Sequence, residues 1–138
     1  MDAFDADVLI YAAVPDHPLG RRVRALFPSD ATGGAIAGIG SVLLLPELLT
    51  KPLRDNAQAE LEALTALLGR VELRPVDTAV AELATVLGAT HRLRAADAVH
   101  LATAVVAGAE RFITNNASDF TKRISEITVT YPEDLPEP

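Results

Sequence analysis

Phe4-Asp5-Ala6-Asp7-Val8-Leu9-Ile10-Tyr11-Ala12 sets two carboxylates against a run of apolar residues within a dozen positions of the N-terminus. A carboxylate carried into a core costs free energy unless something pairs with it. Residues 2–5 read as a short strand ending near Asp5. Val8 to Ala13 is apolar on every side, and periodicity alone does not separate a continued strand from a helix there. Three more acid-bearing segments follow far along the chain: Ser41 to Glu47, Arg94 to Ala104 and Phe112 to Phe120. Whether the fold gathers these four segments decides what the chain can do.

Working outward, Pro18 suits the first turn of a helix, and Leu19, Val23, Leu26 and Phe27 continue it at helical spacing until Pro28. Ala31 to Gly40 is Gly-rich, with Ile36 and Ile39 its larger apolar residues, and reads as a buried strand. Ser41 is placed to cap a helix over Val42 to Leu49 that carries Glu47 and ends at Pro52. Asp55 or Asn56 starts the next helix, with Leu61, Leu64, Leu67 and Leu68 inward and Gly69 as its stop. Val71 to Leu73 reads as a strand. Asp77 caps a helix with Val80, Leu83, Ala84 and Leu87 inward, ending at Gly88. Ala95 to Ala107 is helical, Arg111 to Thr114 a strand, 115–119 a loop, and Ile127 to Thr130 a last strand before a Pro-rich acidic tail. Alternation of strands with helices predicts an α/β fold in one domain over 1–138: a mainly parallel sheet of about four to five strands flanked by helices.

In such sheets ligands gather at the carboxyl ends of the strands, near the switch in strand order. Asp5 follows the first strand, Ser41 and Glu47 the second, and Asn116 and Asp119 the strand at 111–114. Three segments therefore present polar groups to one edge.

The composition narrows the function. Nineteen acids against 12 bases give a formal net charge of −7. That counts against a simple nucleic-acid-binding module, because phosphate contacts dominate such affinity. There is no cysteine, which removes zinc ribbons, cysteine catalysis and disulfide scaffolds and fits a reducing cytoplasm. No run of about 18 apolar residues is present, so no membrane span is expected. The N-terminus has no basic region followed by an apolar stretch, so no leader is expected either. Arg21, Arg22 and Arg24, and again Arg92 and Arg94, form small basic clusters that read first as solvated helix faces.

Asp97, in Arg-Ala-Ala-Asp-Ala-Val-His-Leu-Ala-Thr-Ala, would alone read as a helix-dipole acid. Glu47 is flanked by Leu43, Leu44, Leu45, Pro46, Leu48 and Leu49, and needs a partner. Acids brought to about 4–5 Å repel by several kcal/mol at an effective dielectric near 20. A hard divalent cation removes that penalty, and all-oxygen ligands select magnesium or manganese.

Asp5-x-Asp7-Val8-Leu9-Ile10-Tyr11, Ser41-x5-Glu47, Asp97-Ala98-x-His100-Leu101-Ala102-Thr103-Ala104 and Ile113-Thr114-Asn115-Asn116-x-x-Asp119-Phe120 occur in that order. Together they resemble the PIN-domain ribonucleases, most closely the VapC-type toxins of bacterial toxin–antitoxin pairs, over essentially the whole chain. The resemblance implies a PIN-like fold and a metal-dependent endoribonuclease in which Asp5, Glu47 and Asp97 match the acidic core. Asp5 and Asp97 are expected as direct ligands of Mg2+ (Mn2+ in its place), and Glu47 as a ligand or the holder of a metal-bound water. The family's fourth acid falls on Asn116, with Asp119 three residues further on. The family usually has Asn, Ser or Thr where this chain has Asp7. Asp119 completes the expected catalytic set; Asn116, Ser41, Thr114 and Asp7 are supporting. Also implied are an RNA substrate, an antitoxin laying a helix or tail between the helices at 18–28 and 42–68, and a homodimer.

Two other readings stand beside this one. Asp5-Ala6-Asp7 would be the nucleophile pair of a haloacid-dehalogenase-type phosphatase, although Lys51 and Lys122 lack the context of a phosphate-binding lysine. Alternatively, Asn116 marks a vestigial site in an interaction module. His100 reads as a packed, hydrogen-bonded helix residue, His17 and His91 as surface, and Tyr11 as core. RNA contacts are expected from Arg21, Arg22, Arg92 or Arg94.

Overall fold

The computed structural model describes residues 1–29 and 34–138. In chain order the elements are β1 (Asp2–Phe4), α1 (Ala6–Ala12), α2 (Pro18–Arg24), β2 (Gly38–Ser41), α3 (Leu44–Arg54), α4 (Gln58–Leu68), β3 (Val71–Arg74), α5 (Thr78–His91), α6 (Ala95–Val106), β4 (Arg111–Ile113) and β5 (Thr128–Thr130), then a 3₁₀ turn at Pro132–Asp134. The strands form one sheet in the order β3-β2-β1-β4-β5, every neighbouring pair parallel. The chain builds outward from β1 to β3, then crosses back to β4 on the other side of β1. The switch in strand order therefore lies between β1 and β4, the position where open α/β sheets bind ligands.

Alternation along β1 divides the core. Ala3 joins Leu87, Leu101, Phe112 and Val129 under α5 and α6, whereas Phe4 joins Val8, Leu44, Leu64 and Ile113 under α1 to α4. The result is three layers, helices over both faces of a parallel sheet, as the alternating pattern predicts. Two glycines permit the closest approaches. A Cβ on Gly38 would stand 2.3 Å from the carbonyl oxygen of Asp2, and one on Gly20 would stand 2.0 Å from that of Tyr11. The first lets β2 lie against β1; the second lets α2 cross α1.

Several boundaries differ from the sequence reading, each for a local reason. Val8 to Ala12, which periodicity left open between strand and helix, is helix. The second strand is only Gly38–Ser41; Ile36 lies outside it and is 44% exposed, while Ile39 is buried. Residues 30–33, part of the expected strand, lie outside the described residues. Pro52 does not end α3, which continues to Arg54; the helix gives up the one hydrogen bond that an N–H at position 52 would make, and the proline is buried in the core. Asn56 takes a left-handed turn (φ 52°), so α4 begins at Gln58. Gly88 does not end α5. Arg92 does, in the left-handed conformation (φ 56°) usually given to glycine, with its N–H donating to the Gly88 carbonyl.

Two of the three arginines on α2 are not simply solvated. Arg24 donates to the carbonyls of Ala12, Val14 and Pro15, closing the end of α1. Arg22 donates to the carbonyls of Glu133 and Leu135 and pairs with Glu137, pinning the C-terminal tail. Among the described residues no helix is long and apolar enough to cross a membrane.

Candidate active site

Asp5 caps α1 where β1 ends. Its Oδ1 accepts the Ala6 N–H at 2.9 Å and its Oδ2 accepts the Thr114 hydroxyl at 2.7 Å, and it is 6% exposed. The Asp5 N–H donates to the Ile113 carbonyl, so β1 and β4 present Asp5 and Thr114 side by side at the switch point. Burial pushes the Asp5 carboxyl up from the ordinary carboxylate range; the Thr114 hydrogen bond and nearby His100 oppose this. Thr114 Oγ1 also accepts the Asn116 N–H at 3.1 Å, tying the next loop to the same point.

Asp7, in the first turn of α1, accepts the Asn115 N–H at 3.1 and 3.3 Å. Burial, then the charge of Asp5, pushes Asp7 up to about 7, with Asp97 adding to the repulsion. Asp97 enters from the first turn of α6. It too is pushed up, by burial first and then by Asp5, Asp119 and Glu47. Asp5, Asp7 and Asp97 thus act on one another, and Glu47 and Asp119 act on them, from four separate segments of sequence.

Glu47 departs from expectation in one respect. Its apolar flanks do not bury it: the side chain is 38% exposed. It does have the partner it needs, the Nε2 of buried His100. Burial by itself would lower the His100 pKa; the hydrogen bond and charge of Glu47, aided by Asp5 and Asp97, more than reverse this and raise it. His100 Nδ1 is buried without a partner among the described residues. His100 is therefore part of the acid cluster rather than a bystander. Its position three residues after Asp97, on the same helical face, was the sequence signal for this.

In the last motif, Asn116 Nδ2 donates to Asp119 Oδ2 at 3.0 Å, while Asn116 Oδ1 accepts from the Ser118 hydroxyl and the Asp119 N–H. Both ends of the amide are engaged within the loop. Ser41 is the last residue of β2, not a helix cap. Its Oγ accepts the Leu43 N–H at 3.1 Å in the turn before α3. Asn115, absent from the sequence-predicted set, donates to the Tyr11 hydroxyl at 3.3 Å. Tyr11 is half-buried and stacks on His17 with ring centroids 4.4 Å apart; His17 caps α2 through Nδ1. His91 is also not simply surface; it pairs with Glu126 at 2.9 Å.

The donor set suits a hard divalent cation. The acids are oxygen donors, Asp5, Asp7 and Asp97 stand above the ordinary carboxylate range, and among the described residues no arginine or lysine bonds to any of the five. Among the described residues no three acid or histidine side chains already stand as a ready ligand set. The carboxylates are close enough to repel but do not converge on one point.

A three-layer α/β fold with an acid cluster at its switch point defines a broad class of metal-suited domains. Within it, the PIN domain profile matches residues 3–125, and the chain belongs to the PIN domain family. No curated protein matches the chain by sequence. Among solved structures, a toxin–antitoxin complex from Klebsiella pneumoniae matches with TM-score 0.72 at 23% identity, over 96% of this chain and 98% of that one. VapBC2 from Rickettsia felis bound to a DNA fragment from its promoter matches with TM-score 0.70 at 18% identity, over 94% and 97%. FitAB bound to the IR36 DNA fragment matches with TM-score 0.65 at 21% identity, over 99% and 98%. These likenesses establish a shared fold along nearly the full length of each chain.

Proposed function

We propose that the protein is a metal-dependent endoribonuclease, the toxin of a toxin–antitoxin pair, working as one domain over 1–138 on RNA. The observation that carries the reading is the set of mutually repelling carboxylates at the switch point of a PIN domain, with no arginine or lysine among the described residues bonded to them. Asp5 and Asp97 would hold Mg2+, or Mn2+ in its place, with Glu47 completing the site. Such an ion, when bound, lowers the pKa of a water and offsets charge on the phosphate.

The chain's own residues do the positioning. Thr114 fixes the Asp5 carboxylate by its hydroxyl, and the Ala6 N–H fixes the other oxygen. His100 holds Glu47 facing the cluster from α3. Asn116 aims Asp119 and, through Thr114, couples the loop to Asp5. Asn116 thereby acts as a positioning residue instead of a fourth charge, which favours a site dominated by one metal.

The toxin reading also rests on the named toxin–antitoxin structures that share this fold. An apolar groove of about 410 Å³ runs between α1 and α4, along Ile10, Ala13, Val14, Ala63 and Leu64, and a neighbouring cavity of about 400 Å³ continues it past Phe27 and Leu67. It suits the apolar face of an antitoxin helix. The cavity past Phe27 and Leu67 lies between 18–28 and 42–68, and the groove extends it along α1. A homodimer and a cytoplasmic location complete the proposal.

Cleavage of labelled RNA by the purified chain is the test. Cleavage should require Mg2+ or Mn2+, stop with chelator, and fall on the order of a thousandfold in Asp5→Asn and Asp97→Asn at unchanged circular dichroism. Wild-type-like cleavage by either variant overturns the assignment. Metal binding without cleavage by the wild type favours an interaction module instead.

A further inference from the structure

The acid cluster explains how a phosphodiester could be cut but not how an acidic protein retains an RNA strand. With a net charge of −7, general attraction is unavailable, so a few local cations must supply it. Most arginines are already engaged. Arg22 and Arg24 hold the tail and the end of α1, Arg54 and Arg74 pair with Asp55 and Glu72, Arg70 donates to the carbonyls of Ala35 and Pro28, and Arg111 pairs with Asp2.

Arg92 and Arg123 are different. Like Arg21 and Arg94, both are exposed with no guanidinium bond to another described residue; unlike those two, they share a cavity. Both line a single cavity of about 420 Å³, with Thr90, Ser118, Asp119 and Thr121. That volume is within the usual range for ligand clefts, roughly 300–1,000 Å³. Arg92 reaches it from the left-handed residue that closes α5, a position where glycine is usual and a long basic side chain is not. Asp119 belongs to both places. It lines the cavity, and it is bonded to Asn116, whose N–H is bonded to Thr114, whose hydroxyl is bonded to Asp5. The cavity therefore adjoins the acid cluster through a continuous run of hydrogen bonds.

We propose that this cavity is a backbone-phosphate subsite for the RNA strand flanking the scissile bond, with Arg92 and Arg123 as its cationic contacts and the hydroxyls of Thr90, Ser118 and Thr121 as donors. The proposal rests on the nuclease reading and selects among the basic residues. Arg22 is excluded because the tail occupies it. Arg123, which the sequence does not single out, is included. An arginine suits such a site because its planar fork matches two phosphate oxygens.

The test is binding of a fluorescent single-stranded RNA to the full chain in chelator, so that nothing is cleaved, across a range of salt. Arg92→Gln/Arg123→Gln should weaken binding about tenfold near ~100 mM salt and reduce the salt slope by about 1.4, roughly 0.7 for each lost phosphate contact. Arg92→Lys/Arg123→Lys should keep most of the slope, and Arg54→Gln, at the exposed end of α3, should match the wild type. With metal restored, the double glutamine variant should raise KM while kcat stays within about twofold. Wild-type affinity and slope in Arg92→Gln/Arg123→Gln overturn the subsite even if the wild type cleaves RNA normally. Loss of affinity and slope in that variant, together with a wild type that never cleaves, keeps the subsite and overturns the nuclease reading.

Discussion

The two ends of β1 carry the same side chain and treat it in opposite ways. Asp2, at the amino end, receives a two-pronged pair from Arg111 at 2.8 and 2.9 Å, on the strand that lies beside it. The same edge also pairs the N-terminal ammonium with Glu110. Asp5, three residues on at the carboxyl end, receives only a hydroxyl and an N–H, and its charged neighbours are other acids and one histidine. The register that sets Asp2 against Arg111 also sets Phe4 against Ile113, directly before Thr114. The scaffold can put an arginine across from an aspartate on these two strands and does so at one end only. At the other end no arginine or lysine among the described residues bonds to the aspartate.

The sharpest way to break this comparison is to neutralise each aspartate in turn. Asp5→Asn should abolish RNA cleavage, on the order of a thousandfold, with no loss of stability in a urea melt, because it removes a carboxylate whose charge is opposed first by burial and then by Glu47. Asp2→Asn should do the reverse, costing about 1–2 kcal/mol by stranding a partly buried guanidinium while leaving cleavage within about twofold. Equal loss of cleavage in both variants would mean that the two ends are not functionally distinct.

Metal should sharpen the comparison next. Mg2+ or Mn2+ at about a hundredfold over its dissociation constant should stabilise the wild type by about 2.7 kcal/mol, read as a rise in Tm. Asp5→Asn and Asp97→Asn should lose most of that rise, and Asp2→Asn should keep it. The rise should be larger at pH 8 than at pH 5, since Asp5, Asp7 and Asp97 are all shifted upward and protons compete with metal in the acid range. An equal metal response in Asp5→Asn would place the cation elsewhere.

What the sequence revealed follows the range of each interaction. Asp5 and Asp97 were legible because each sits where one element gives way to the next, a place that local pattern marks. The parallel α/β sheet was legible from the alternation of strand and helix alone. Helix ends were read less well, because Gly88 and Pro52 are strong local signals that longer-range packing overrode, and Arg92 takes a conformation its type rarely adopts. The pairing of Glu47 with His100 spans 53 residues, and only the fold brings them together. The work of Arg24 and Arg22 was hidden for another reason: their partners are mostly backbone carbonyls, which leave no mark in sequence.

Asp7 gives a smaller effect than the metal response and shows what ionising a buried acid beside Asp5 costs. Its carboxyl is pushed from 3.8 to about 7 by burial and by Asp5. Below about pH 4 both folded and unfolded chains hold this proton, and Asp7 costs nothing. Between about 4 and 7 the unfolded chain has lost the proton and the folded chain retains it, so stability falls as pH rises. Above 7 both are ionised and the whole penalty is present. Three pKa steps of about 1.4 kcal/mol would give about 4 kcal/mol, and partial exposure reduces this to about 2. Asp7→Asn keeps an oxygen to accept the Asn115 N–H, so in metal-free buffer it should stabilise the chain by about 2 kcal/mol at pH 8 and by almost nothing at pH 4. Saturating metal should shrink the gain at pH 8, because a bound cation relieves the same repulsion that the substitution removes. A gain that is equal at both pH values would show that Asp7 is strained by packing and not by the ionisation that burial and Asp5 oppose.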